Sequence, residues 1–314
     1  MINRELIRLK TVQIVYSYYM NGLAEKGTQG INASEKELLF SLDKSYELYQ
    51  ALLALLLEVR RVAIEDAEQR KERNKQLGQN EPVETRFINN RLLEMLATNE
   101  QLLAFREKNN QMWIEDEEMV KNLYRTYVQS KEYAEYIESA MSFDNDQEAI
   151  RKFYRILVCS NDDIAATLED KCIYWNDDKH IVDTFVLKTI KLFREDSTPD
   201  MPLLAKYERT EDMEYAVKLH RHAIANAEYY RSLIEQNAKG WDMHRIALMD
   251  IVIIQTGLAE ITAFPTIPTA VSINEYINIS KMYSTARNYS YVNAALDIIS
   301  KELIKEHKLI KKGS

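Results

Sequence analysis

Apolar and polar residues follow the helical period along nearly the whole chain. Ile2, Leu6, Leu9, Val12, Tyr16 and Tyr19 recur at spacings of three and four, which lays one apolar stripe along a first helix. Arg4 and Arg8 sit one turn apart on another face of it, and the run AEKGTQG after Gly22 ends it. Ser34 and Glu37 have the spacing of a capping box. They predict a second helix that opens there and runs through Tyr46, Leu52, Leu56 and Val59 to about Arg73. The polar stretch KERNKQLGQNEPVETR, with Gly78 and Pro82, reads as a loop. Further helical patterns occupy about 87–108, 115–140, 145–158 and 179–194, separated by polar breaks such as SFDND and SNDD. Ser197 to Pro202 (STPDMP) is the clearest linker.

Beyond the linker, Thr210 precedes Glu211 and Asp212, an N-cap with acids in the first turn. Ala216, Leu219, Ala223, Ala227, Tyr230 and Ile234 then form a narrow stripe of mostly small residues, closed by Gly240. From Ile246 to Ile261 the chain is apolar nearly all round, the mark of a central helix. Pro265 and Pro268 break it, and Ser272 with Glu275 repeats the capping-box spacing ahead of Tyr276 and Ile277. A last helix carries Val292, Ala295, Leu296, Ile299 and Leu303. No useful alternating pattern and no internal repeat is present, so the expected fold class is all-α.

Composition agrees. The chain has 314 residues, 46% of them apolar, with only 7 Gly and 5 Pro, which favours long elements and few turns. Charge is uneven around a net −8. Residues 1–22 carry +2 and residues 281–314 carry +4, so the remainder holds −14: basic ends and an acidic middle. The longest wholly apolar stretch, Ala51 to Leu57, has seven residues, far below the ~20 a membrane span requires. The opening MINRELIRLK holds no apolar signal core, so the expected location is the cytoplasm. Cys159 and Cys172 form no C-x-x-C pair and read as small buried apolar groups.

Catalytic signatures are missing: no G-x-G-x-x-G, Walker loop, G-x-S-x-G or H-E-x-x-H occurs. His220 and His222, two apart on a helix, point to different faces rather than to one metal. Asp177, Asp178 and His180 read as a helix start. No enzyme activity, cofactor or metal is expected.

Two regions carry a family resemblance. Trp241 to Asp250 (WDMHRIALMD), continuing to Glu260, resembles the NusB antitermination-factor family, with its Trp, a following Arg, an acid and an apolar helix ending in Glu. Ile273-Asn274-Glu275, Lys281, Tyr291-Val292-Asn293 and Leu296-Asp297 resemble that family's most diagnostic stretch. Arg4, Arg8, Val12-Gln13 and Tyr16-Ser17 resemble its arginine-bearing first helix. Three departures stand out: Ala294 replaces a usual Gly, Gln255 a usual Arg, and Glu5 and Leu6 stand where further arginines are common.

The resemblance implies a NusB-like helical bundle, made of residues 1–22 and 210–314, with residues 23–209 as a large inserted helical region. It implies a transcription antitermination factor without catalysis. Such a factor binds boxA-type single-stranded RNA together with NusE, a ribosomal small-subunit protein, on the RNA polymerase elongation complex. It also implies the site. Arg4 and Arg8 are expected to meet phosphates, which the fork of a guanidinium suits. Lys281, Arg287 and Tyr291 are expected to form the other wall, with Tyr291 stacking on an unpaired base. Tyr16 and Asp250 fall where the family contacts NusE. The plain alternatives are solvated charges on a surface helix, a core tyrosine, and an acid that opposes a helix dipole. A helical protein-binding scaffold without RNA affinity is the alternative to the whole reading.

Overall fold

The computed structural model describes residues 1–79, 81–237, 246–309 and 311, except for the side chains of Ala286 and Arg287. These residues form fourteen α-helices and, as extended structure, only an isolated bridge between Ile2 and Tyr207. The chain is all-α, and it divides into two compact units.

The first unit holds Met1 and Lys44–Lys206. Its centre is the larger part of α2 (Gly27–Gln76), which buries Leu48, Tyr49, Leu52, Leu56 and Val59. Around it stand α3 (Arg91–Thr98), α4 (Glu100–Lys108), α5 (Glu117–Val128), α6 (Lys131–Glu138), α7 (Phe143–Phe153), α8 (Asp162–Lys171) and α9 (Lys179–Leu192). Phe87, Tyr127 and Phe153 pack ring to ring, with Tyr127 5.3 Å from Phe87 and 5.0 Å from Phe153 between centroids.

The second unit joins Ile2–Asp43 to Tyr207–Ser314. It contains α1 (Arg4–Met20), the first turns of α2, α10 (Asp212–Ala225), α11 (Ala227–Asn237), α12 (Leu248–Ala263), α13 (Thr269–Tyr283) and α14 (Ala286–Lys305). The apolar run read as a central helix is α12: every residue from Val252 to Ile261 is buried, and the helix touches α1, α10, α11, α13 and α14. Gly257 makes that closeness feasible, because a Cβ there would stand 3.0 Å from Leu296 and 3.2 Å from Tyr276.

The predicted elements are present, with shifted ends. The α2 helix opens at Gly27, so Ser34 is not its cap; its hydroxyl lies 2.7 Å from His220 Nε2 inside the unit. Gly30 is required there, since a Cβ would collide with the Leu23 carbonyl. Ser272 is likewise inside α13, which starts at Thr269 behind Pro268. Asn99, Ser130 and Asn226 divide stretches that read as single helices: Asn99 and Ser130 cap the next helix through their side chains, and Asn226 binds the His222 carbonyl. The α8 helix was not predicted, because its acids read as a polar break. Gly240 and the segment Trp241 to Arg245 lie outside the described residues.

Candidate nucleic-acid interface

The N-terminus folds back onto the C-terminal third. The Asn3 side chain caps α1 by accepting from the Leu6 amide at 3.0 Å. Just before it, the Glu208 amide donates to the Ile2 carbonyl at 2.9 Å. From there α1 packs against α10, α12 and α13. It is no surface helix with one wet face: Leu6 to Val12 are buried without a break, Arg8 and Lys10 included.

Arg8 therefore has a different role from the one its sequence position implied. Its side chain is 6% exposed, and its guanidinium is held by two carboxylates. Nη2 donates to Glu260 Oε1 at 2.7 Å, Nε to Oε2 at 2.9 Å, and Nη1 to Glu275 Oε2 at 3.2 Å. Tyr215 also donates to Glu260, at 3.0 Å. Burial by itself lowers the Arg8 pKa; the Glu260 hydrogen bond and the surrounding charge overcome this and raise it, so the cation is permanent. With these donors taken by acids, Arg8 does not present the free fork a phosphate needs.

Arg4 is placed otherwise. Its side chain keeps 30% of its surface, its Nε lies 3.5 Å from the Asp212 carboxylate, and its guanidinium sits 4.9 Å from the Tyr215 ring centroid. Lys281, in the last turn of α13, is exposed and has no ion pair among the described residues. The Arg287 side chain lies outside what the structure describes. Tyr291 is buried at 4% exposure, so it offers no ring face for a base to stack on. Tyr283 and Tyr289 are the half-buried aromatics of this stretch, and Gln13 of α1 donates to the Tyr283 hydroxyl at 2.9 Å.

The residues expected to face a protein partner differ in exposure. Tyr16 is half-buried on α1. Asp250, in the first turn of α12, is 1% exposed and turned inward. Ser284 donates to its Oδ1, and Asn288 Nδ2 donates to its Oδ2 at 2.8 Å. Gln255 fits its burial through neutral contacts, donating to the Ala223 carbonyl at 2.9 Å and to the Tyr19 hydroxyl at 2.8 Å. Ala294 is exposed, so the missing glycine costs no helix contact.

Glu260 and Glu275 stand in the sequence motifs quoted above, but nothing there pairs them with Arg8, and Tyr215 is not marked at all. The available signal was Glu260 itself: a carboxylate inside an otherwise apolar helix requires a buried partner. His220 and His222 diverge, the first to Ser34 and the second to the Tyr230 hydroxyl at 2.8 Å. Cys159 is no ready nucleophile, since burial and the nearby Asp183 carboxylate push its thiol up to about 11. No helix among the described residues is long and apolar enough to cross a membrane.

The second unit is thus a helical bundle assembled from both ends of the chain around a buried ion pair. The model of the NusB family matches residues 183–301. The transcription antitermination protein NusB of Desulfatibacillum aliphaticivorans is 33% identical over 128 residues, covering 38% of this chain and 90% of that protein. Those of Salinibacter ruber (34% over 100 residues) and Finegoldia magna (33% over 90) align along 32% and 29% of this chain. These two matches span 62% and 66% of the relatives' own lengths, just short of two thirds. No solved structure matches the chain. The chain belongs to the NusB family.

Proposed function

We propose that the protein is a transcription antitermination factor that binds boxA-type single-stranded RNA together with NusE on the RNA polymerase elongation complex, in the cytoplasm. Family membership carries this reading, because curated relatives bear that name. In this proposal residues 1–22 and 210–314 are the RNA-binding core, and residues 23–209 are an insertion that contacts protein or extends the bundle. Arg4, Lys281 and Arg287 contact phosphates, and Arg8 and Tyr291 support that surface from beneath. Tyr16 belongs to the NusE side.

One observation favours the second reading, a protein-binding scaffold without RNA affinity: the Arg8 guanidinium is engaged by Glu260 and Glu275. A gel shift with a boxA-type RNA and a scrambled RNA of equal length, each with and without NusE, separates the two. The antitermination reading expects the boxA-type RNA to bind at least tenfold more tightly, with NusE increasing the difference. Equal, weak binding of both RNAs in both conditions would leave the scaffold.

A further inference from the structure

The connection between α13 and α14 is only Ser284 and Thr285, and neither helix end there is capped by its own side chain. The group that grips this turn comes from elsewhere. Asp250, at the start of α12, receives Ser284 on one oxygen and Asn288 on the other, so a single buried carboxylate spans the turn and the first residues of α14. Tyr291 lies along the same side of α14, one turn further on, and is also buried. Burial first, and then the Asp250 charge, hold its phenol above the usual range. Asp250 sits where the α12 N-terminus favours negative charge, so the carboxylate is stabilised in place. On the other side of the turn, the Gln13 bond to Tyr283 ties the end of α13 to α1.

We infer that Asp250 is a positioning residue for RNA binding: by holding Ser284 and Asn288, it presets the α13–α14 turn that follows Lys281, before any nucleic acid arrives. This rests on the RNA-binding reading above. A turn held in advance spares the complex the entropy of ordering it. The carboxylate touches neither phosphate nor base in this role, and its inward orientation removes it from the surface a protein partner would meet.

The test uses the full chain. Asp250→Asn keeps the shape and removes the charge. Asn288→Ala removes one of the two bonds and keeps the carboxylate, should the first variant fold poorly. Hydrogen exchange of peptides covering 281–291, the thermal midpoint, and titration with a boxA-type RNA oligonucleotide over a range of KCl are read together. Expected are faster exchange of the 284–289 amides and roughly five- to tenfold weaker RNA binding, with the salt slope unchanged because no phosphate contact is lost. The reciprocal pair Asp250→Asn with Asn288→Asp, which restores a carboxylate facing an amide, should recover both affinity and protection. A purely structural role would lower the thermal midpoint and leave the affinity of the folded variant unaltered, which overturns the inference. Unchanged exchange in the turn overturns it too, as does a loss of NusE binding with the turn still protected. If the wild-type chain itself ignores the RNA while exchange in the turn rises in the variants, the RNA reading has failed and the hold on the turn stands.

Discussion

Arg8 and Glu260, 252 positions apart in the chain, meet inside the second unit at 2.7 Å between Nη2 and Oε1, with both side chains essentially removed from water. Removing one member of such a pair strands the other charge, at a cost of about 3–5 kcal/mol. Arg8→Ala and Glu260→Ala should each destabilise the second unit by that order. The combination Arg8→Met with Glu260→Leu should be less damaging than either single change, because no buried charge remains. Denaturant midpoints of the four proteins decide this. If Arg8→Ala kept its midpoint and lost only RNA affinity, the guanidinium would be a surface phosphate ligand after all.

His220 gives the same unit a pH response. Its imidazole is fully buried against Ser34, and burial lowers its pKa from 6.5 to about 4. A histidine depressed in the folded state binds fewer protons than in the unfolded chain, so its contribution is complete above pH 6.5 and disappears as pH falls toward 4. The shift corresponds to about 3 kcal/mol. His220→Gln should flatten the fall in thermal midpoint between pH 7 and pH 5. An equally steep fall in the variant would place the response on other groups.

How much of this was legible beforehand differs by level. Helical periodicity announced α1, α12 and α14 because it reports burial directly, and α12 is buried as its all-round apolar pattern required. Capping boxes misled, since Ser34 and Ser272 have the right spacing but use their positions inside helices. The resemblance named the right family, yet residue type did not reveal side-chain direction. An arginine on a first helix reads as a surface cation until its carboxylate is found 252 positions away. Tyr291 and Asp250 turned inward for the same reason: their burial depends on tertiary neighbours that local spacing does not encode.

Gly257 marks a close approach of α12 to Leu296 of α14 and Tyr276 of α13. A glycine inside a helix is expected to cost ~1 kcal/mol against alanine, yet here any larger residue must displace Leu296 or the buried Tyr276 ring. The two effects nearly cancel for Gly257→Ala. The branched side chain of Gly257→Val should overpack the crossing and cost about 1–3 kcal/mol. Thermal unfolding of the two variants checks the order, and a valine variant as stable as wild type would mean that α12 and α14 separate without penalty.

Lys281 offers the cleanest separation of a phosphate contact from a structural residue. It is exposed in the last turn of α13, where the helix dipole favours a cation by only a few tenths of a kcal/mol. Lys281→Gln should therefore leave the thermal midpoint within about 1 °C, since surface changes of this kind stay within ~0.5 kcal/mol. If the side chain neutralises one phosphate of a single strand, the slope of log K against log salt should become shallower by roughly 0.7. Titrations of a boxA-type RNA at several KCl concentrations measure that slope directly. Matching slopes for variant and wild type would take Lys281 out of the interface, and the proposed basic surface would then rest on Arg4 and Arg287 alone.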